Sequence, residues 1–268
     1  MIRLHAPAKI NLGLEILGRR PDGYHEIRSI LAPISIFDRV EVTQSAQFEF
    51  WSDDPALDDD SNLAVRAAAS LGVPVSVRLW KRIPVAAGLG GASSDAAAIL
   101  RGVAALCPDL PTAAIDQAAR SLGSDVPFFL GSGSAVASGR GDKCSPVLLA
   151  APIWLVIAAP AIDIPTKTAA LYRALTPGDF TDGSRIDAIA QTLASNGPLE
   201  TALLGNAFER ALYAHWPEAA AVRDAMRAGG ARLVALSGAG PAHYAVCENS
   251  TEAVHLASSI RRYIEADT

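Results

Sequence analysis

The chain is predicted to be an α+β protein of two closely packed halves with a cleft between them, residues 1–150 and 151–268. Three observations lead there. The first third is patterned as strands, a glycine-rich loop then joins a strand to a helix, and after about residue 150 helices mix with short strands around a second glycine turn.

The elements follow in order. Ile10, Leu12, Leu14 and Ile16 alternate with Asn11, Gly13 and Glu15, the period of two of a strand. Arg39 to Ser45 and Gln47 to Trp51 read as a short hairpin. The acidic run Ser52 to Asp60, broken by Pro55, is a solvated loop, since charge runs face water more often than they hold a metal. Ser61 or Asn62 caps a helix through about Leu71, closed by Gly72. Pro74 to Lys81 is a strand with Val75, Val77 and Leu79 on one face. An alanine-rich helix runs from about Ser94 to Leu106, and another from Thr112 to Leu122, stopped by Gly123. In the second half, Ile153 to Ala159 is a buried strand. Helices follow near Thr166 to Leu175, Ile186 to Ala194, Asn206 to Ala214 and Pro217 to Ala228. Ala231 to Leu236 and His243 to Glu248 pair around the turn Ser237-Gly238-Ala239-Gly240, and a last helix spans Glu252 to Glu265.

Composition narrows the function. Half of the 268 residues are hydrophobic and 19% are charged, which supports a packed core. A net charge of -5 argues against a broad nucleic-acid surface. A small anionic ligand is still compatible, because backbone dipoles and one or two cations can hold a phosphate locally. Cys107, Cys144 and Cys247 are far apart and odd in number, so reduced thiols are expected rather than a disulfide framework or metal cluster. The longest apolar stretch, Leu148 to Ile162, is broken by Pro152 and Pro160 and is shorter than the ~20 residues of a membrane span. The start of the chain shows no apolar signal region. A soluble cytoplasmic monomer is expected.

Four motifs can carry chemistry. The first is Pro84, Val85, Ala86, Ala87, Gly88, Leu89, Gly90, Gly91, Ala92, Ser93 and Ser94, followed by Asp95, between a strand and a helix. Small residues let the backbone approach a ligand, and the free N–H groups of the helix's first turn favour a phosphate. A tight strand-to-helix turn without a ligand would look the same. No lysine follows Gly91, so this is not a Walker A loop, and the glycine order is not that of a dinucleotide fingerprint. The second motif is Pro7-Ala8-Lys9-Ile10-Asn11-Leu12, with Lys9 opposite Ile10 and Leu12. Alone, Lys9 reads as a surface charge. The third is Gly123-Ser124-Asp125-Val126-Pro127, where Asp125, at a rigid corner, is either a capping or turn aspartate or a catalytic one. The fourth, Arg19-Arg20-Pro21-Asp22-Gly23-Tyr24-His25, offers an aromatic and an imidazole that can stack on a heterocycle or simply pack together.

Taken together, the glycine loop resembles the phosphate loop of the GHMP kinase superfamily. The N-terminal motifs resemble the branch that phosphorylates 4-diphosphocytidyl-2-C-methyl-D-erythritol. Gly123-Ser124-Asp125-Val126-Pro127, Gly139-Arg140-Gly141-Asp142, Ile164-Pro165-Thr166 and Ser237-Gly238-Ala239-Gly240 occur in the same order. The resemblance implies a ribosomal-protein-S5-like N-terminal half, a ferredoxin-like C-terminal half and an active site in the cleft. It implies ATP and Mg2+ as cofactors, and cytidine diphosphate methylerythritol as the small-molecule substrate, with transfer to its 2-hydroxyl. The loop Pro84 to Ser94 would hold the ATP phosphates. Lys9 and Asp125 would flank the accepting hydroxyl, Tyr24 would stack on the cytosine and His25 would hydrogen-bond it. Asn11 and Thr166 would hold the rest of the substrate. The resemblance assigns no metal ligand beyond Ser94 as a candidate. Homoserine and mevalonate kinases of the same superfamily, a non-catalytic sensor and a plain nucleotide-binding protein are the alternatives; a Tyr24-His25 pair suits a substrate that carries a base.

Overall fold

Two long antiparallel strands form the spine. In the computed structural model, which describes residues 1–149, 151–162, 164, 166–195 and 197–266, β1 (Ile2–Arg19) pairs with β2 (His25–Gln44) from Ile2 opposite Val42 to Arg19 opposite His25. The pairing shifts register at three places, between Pro7 and Lys9, Asn11 and Leu14, and Ile16 and Gly18. Such bulges bend a strand and re-aim its side chains. β2 also pairs with β4 (Val75–Trp80) and β5 (Ser134–Ser138), and β6 (Lys143–Val147) closes one edge.

The expected hairpin does not form. β3 (Glu49–Ser52) pairs with β4, and in parallel, while β4 lies between β3 and β2. The alternating residues of 39–51 fit either partner; the loop of 53–74 and its helix turn the chain so that β4 comes to lie between β3 and β2. That segment contains α1 (Leu63–Ser70), capped by Asn62 Oδ1 accepting from the Ala64 N–H at 2.9 Å.

α2 (Gly91–Leu106) and α3 (Thr112–Leu122) cover one face of this sheet, with the short α4 (Val126–Leu130). α2 packs closely because its buried face is Ala96, Ala97, Ile99, Leu100 and Gly102. A Cβ on Gly102 would lie 2.6 Å from Val42 Cγ2, so the helix approaches the sheet to a distance only glycine permits.

The other face of β1 and β2 carries the second half. Ala8, Ile10 and Leu12 pack with Ile186, Ile189 and Leu193 of α6 (Ser184–Ala194) and with Tyr244. Main-chain bonds stitch the two: Leu14 N to Gly205 O at 2.9 Å, Ala207 N to Leu14 O at 3.0 Å and Thr181 N to Ile16 O at 2.9 Å. Buried Glu15 accepts from the Ile186 N–H at 2.9 Å and so caps α6. The second sheet has the order β7 (Trp154–Ala158), β9 (His243–Cys247), β8 (Ala235–Leu236), backed by α8 (Pro217–Ala228) and α9 (Ser250–Ala266). β7, expected to be buried, is an edge strand with Trp154 exposed. α5 (Lys167–Ala174) and α7 (Glu209–His215) complete the half. The three cysteines are free thiols. No described helix is long and apolar enough to cross a membrane.

Candidate active site

β1 supplies the first two polar side chains. Its alternation sends Ala8, Ile10 and Leu12 into the core and places Lys9 and Asn11 on the wall of a cleft of about 1040 Å³. Lys9 is only 4% exposed, so the surface-charge reading fails: the strand is covered on both faces. A buried ammonium requires partners. Lys9 Nζ donates to Asn11 Oδ1 at 2.6 Å and lies 3.5 Å from Asp125 Oδ2. Asn11 is itself fixed, since Nδ2 donates to Ser29 Oγ at 2.8 Å and its carbonyl accepts from the Tyr244 hydroxyl at 3.0 Å.

Asp125 stands immediately before α4, where its side chain makes no capping bond. It is 36% exposed, against 5% for the Lys9 side chain. The cation is thus immobilised and the carboxylate is open to the cleft.

The glycine loop joins β4 to α2 and is fastened to β1 by Lys9 N donating to Leu89 O at 2.9 Å. It winds through left-handed conformations at Ala86, Gly88 and Gly90. It then presents the first turn of α2, whose N–H groups have no intrahelical partner. The buried Ser94 Oγ and Asp95 Oδ1 have no hydrogen-bond partner. A second lobe of about 730 Å³ lies over this loop and shares Gly88, Gly90, Ser93 and Thr166 with the cleft, so the two form one groove.

The turn Ser237–Gly240 closes the groove from the other half. Ser237 Oγ donates to Gly88 O at 3.0 Å, and Ala242 N donates to Ala87 O at 2.9 Å. A Cβ on Gly88 would lie 2.4 Å from Ser237 O, and one on Gly238 would lie 3.2 Å from Lys9 Nζ. Asn206 Nδ2 holds this turn by donating to Leu236 O at 3.1 Å and Gly238 O at 2.7 Å.

The far end of the cleft is aromatic. Tyr24 is 55% exposed, with the Arg140 guanidinium 4.5 Å from its ring centre. The buried His25 ring stacks on Tyr172 at 4.8 Å and meets the edge of Phe180 at 6.1 Å. Burial, assisted by Arg19, lowers the His25 pKa and favours its neutral form. Burial pushes the Tyr172 hydroxyl up to about 12.

The structure therefore brings Lys9, Asn11, Tyr24, His25, Asp125 and Thr166 to one cleft, with Gly88, Gly90 and Ser93 of the loop. Pro165 of the Ile164-Pro165-Thr166 motif lies outside the described residues. Sequence reasoning gave no place in the cleft to Tyr172, Arg140, Lys81 or Lys167, which the structure puts on its walls. Arg140 stood in a quoted motif, and Lys81 stands three residues before Pro84. Lys81 Nζ donates to Asp38 Oδ2 at 2.5 Å and Asp95 Oδ2 at 2.7 Å, beneath the loop. Burial pushes the Asp95 carboxyl up to about 7, with Lys81 opposing and Asp38 reinforcing. Among the described residues, no three His, Cys, Asp or Glu side chains form a metal-holding group.

Comparison with known proteins agrees with this geometry. Residues 62–133 match the GHMP kinases N-terminal domain and residues 183–266 the GHMP kinases C-terminal domain. A 4-diphosphocytidyl-2-C-methyl-D-erythritol kinase of Symbiobacterium thermophilum is 40% identical over 274 residues, covering 97% of this chain and 95% of the relative. The protein of that name from Dehalococcoides mccartyi strain BAV1 is 38% identical over 262 residues, covering 94% and 92%. A crystal structure of 4-(cytidine 5'-diphospho)-2C-methyl-D-erythritol kinase superposes with a TM-score of 0.82 at 37% identity, covering 98% of this chain and 96% of that one. A homoserine kinase from Cytophaga hutchinsonii shares the fold, with a TM-score of 0.72 at 16% identity over 100% of this chain and 91% of that one.

Proposed function

The chain belongs to the 4-diphosphocytidyl-2-C-methyl-D-erythritol kinase family of GHMP kinases, and we propose that it moves the γ-phosphoryl group of ATP onto the 2-hydroxyl of that substrate. The observation that carries this reading is the Lys9–Asp125 pair, 3.5 Å apart, where the glycine-lined lobe meets the aromatic cleft. Phosphoryl transfer needs in-line positioning and neutralised charge more than covalent chemistry. Each end of the groove suits one substrate, and the pair lies at their junction.

The loop Pro84 to Ser94 holds the ATP phosphates through the N–H groups of the α2 first turn and its dipole. Lys9 balances charge on the transferring oxygens. Asp125 accepts a hydrogen bond from the substrate hydroxyl, orients it, and receives its proton as the new P–O bond forms and the bond from the γ-phosphorus to the bridging oxygen of ATP breaks, releasing ADP. Tyr24 stacks on the cytosine, and neutral His25, held flat by Tyr172, hydrogen-bonds it. Asn11 acts through Lys9, because both ends of its amide are engaged within the protein. Thr166 borders both lobes and contacts the substrate between them.

Magnesium fits as a companion of ATP rather than as a resident ion, because the site offers it few protein ligands and magnesium commonly binds through phosphates and one or two side chains. The unpartnered Ser94 hydroxyl is the side chain that would hold it, and the ion would supply neutralisation of phosphate charge.

The test is ATP consumption by the purified protein offered the cytidylyl substrate, homoserine or mevalonate separately, with Asp125→Asn alongside. Turnover with the cytidylyl substrate alone is expected, reduced about 10²- to 10⁴-fold in the variant. Turnover only with homoserine or mevalonate, or an undiminished variant, would refute the assignment.

A further inference from the structure

Three lysines border the groove, and two are balanced. Lys9 faces Asp125, and Lys81 faces Asp38 and Asp95. Lys167 is not. It begins α5 and is 9% exposed. Its ammonium donates to two main-chain oxygens, Ala86 O of the glycine loop and Gly240 O of the second turn. Among the described residues no carboxylate lies within ion-pair reach of it. Carbonyl dipoles offset only part of a full charge, and a buried ammonium without a counter-charge is costly.

Its surroundings show what would supply that charge. Lys167 lines the lobe formed by Ala86 to Ser93, the same lobe onto which the free N–H groups of α2 open. Ala86, at φ 55°, and Thr166, at φ 49°, are the non-glycine residues with left-handed backbones among the described residues. One is the acceptor of the Lys167 bond and the other is its chain neighbour. Conformations of this kind collect at ligand clamps. Two strained residues and a cation with no carboxylate partner among the described residues thus converge on a lobe that otherwise offers donors to an anion.

We infer that Lys167 is a nucleotide-binding residue, whose ammonium, tethered between the two glycine turns, takes up the negative charge of the ATP phosphates as they enter. This rests on the ATP-dependent kinase reading and adds a ligand to it. Burial lowers Lys167 to about 8. Among the described residues, the other titratable groups on this lobe are Lys81, just after β4, and Asp95 of α2, which pair with each other; the two glycine turns present main chain, and α5 presents Thr168. A polyanion alongside favours the charged ammonium, so nucleotide binding above pH 8 draws a proton in.

The experiment is calorimetric titration of the full chain with magnesium and a non-hydrolysable ATP analogue at pH 8.5, in two buffers of different ionisation enthalpy. Wild type is expected to take up about three-quarters of a proton per analogue bound, the neutral fraction of a group with a pKa near 8. Lys167→Met should lose that uptake and bind about 10- to 100-fold more weakly. Lys167→Arg should recover affinity without the uptake, because a guanidinium stays charged. A purely structural tether would lower the melting temperature of Lys167→Met but leave its uptake and affinity at wild-type values, and that result would overturn the inference. Should Lys167→Met not fold, wild-type uptake retained in Lys167→Arg would overturn it equally. If wild type itself does not bind the analogue, the ATP reading fails and this one with it; if wild type binds without proton uptake, only this one fails.

Discussion

The two ends of the groove are built from different material. The end proposed for the nucleotide is largely main chain, with Lys167 as its inferred side-chain ligand: a loop of small residues, the first turn of α2 and the Ser237–Gly240 turn packed directly on it. The end proposed for the acceptor is side chain: Tyr24 under Arg140, and His25 between Tyr172 and Phe180. Main chain has no substitutable part, so the first end should fail abruptly when space is taken from it. Side chains can be trimmed singly, so the second end should weaken by degrees.

Gly88→Ala tests the abrupt end. Gly88 has φ 85°, and a Cβ would sit 2.4 Å from Ser237 O and 2.9 Å from Gly240 N. Those atoms are main chain, so a turn must move. A left-handed alanine adds about 1–2 kcal/mol. A misplacement near 1 Å at a reacting centre costs on the order of 10²-fold in rate. The expected outcome is a loss of that size in kcat/KM for ATP in a steady-state assay. An activity within twofold of wild type would show that the two turns are not rigidly joined.

An effect of similar size, on stability rather than rate, comes from what braces the second turn. His243 is fully buried in β9, with Nδ1 on Pro241 O at 2.9 Å and Nε2 facing the Tyr213 hydroxyl at 2.9 Å. Burial lowers its pKa from 6.5 to about 4. The folded value is the lower one, so between pH 6.5 and 4 the unfolded chain binds the proton and the folded chain does not. Stability contributed by neutral His243 is intact above pH 6.5 and is lost as pH falls towards 4, by about 3 kcal/mol in all. Thermal unfolding from pH 7 to 4 should show this slope in wild type and lack that part of it in His243→Gln. Parallel curves would mean that His243 titrates alike in both states.

Much of the main-chain end was legible in the sequence. Small residues between a strand and a helix, and the second glycine turn, announce themselves because close approach leaves few residue types to choose from. The period of two in β1 placed Lys9 and Asn11 on the face opposite Ile10 and Leu12, where the structure has them. What could not be read was coverage. Lys9 looked like a surface charge because burial of its face depends on Gly238, far along the chain. Lys167 gave no signal at all, since its acceptors at Ala86 and Gly240 are distant in sequence. The parallel pairing of β3 was hidden for the same reason: local alternation does not say which neighbour a strand will take. Tyr172 is an ordinary helical aromatic until α5 is laid against His25.

Tyr24→Ala is the gentlest probe of the side-chain end. Base stacking on an aromatic contributes about 1–3 kcal/mol by alanine substitution. Tyr24 is more than half exposed and retains Arg140 on its ring, which places it at the lower bound. An increase of about tenfold in KM for the cytidylyl substrate is expected, corresponding to about 1.4 kcal/mol. The KM for ATP and kcat should stay unchanged, because neither the loop nor the Lys9–Asp125 pair touches this ring. Tyr24→Phe should behave as wild type, since stacking needs the face of the ring and not its hydroxyl. If Tyr24→Ala instead lowered kcat and raised both KM values together, the two ends would be mechanically coupled, and the contrast between a rigid backbone site and an adjustable side-chain site would not hold.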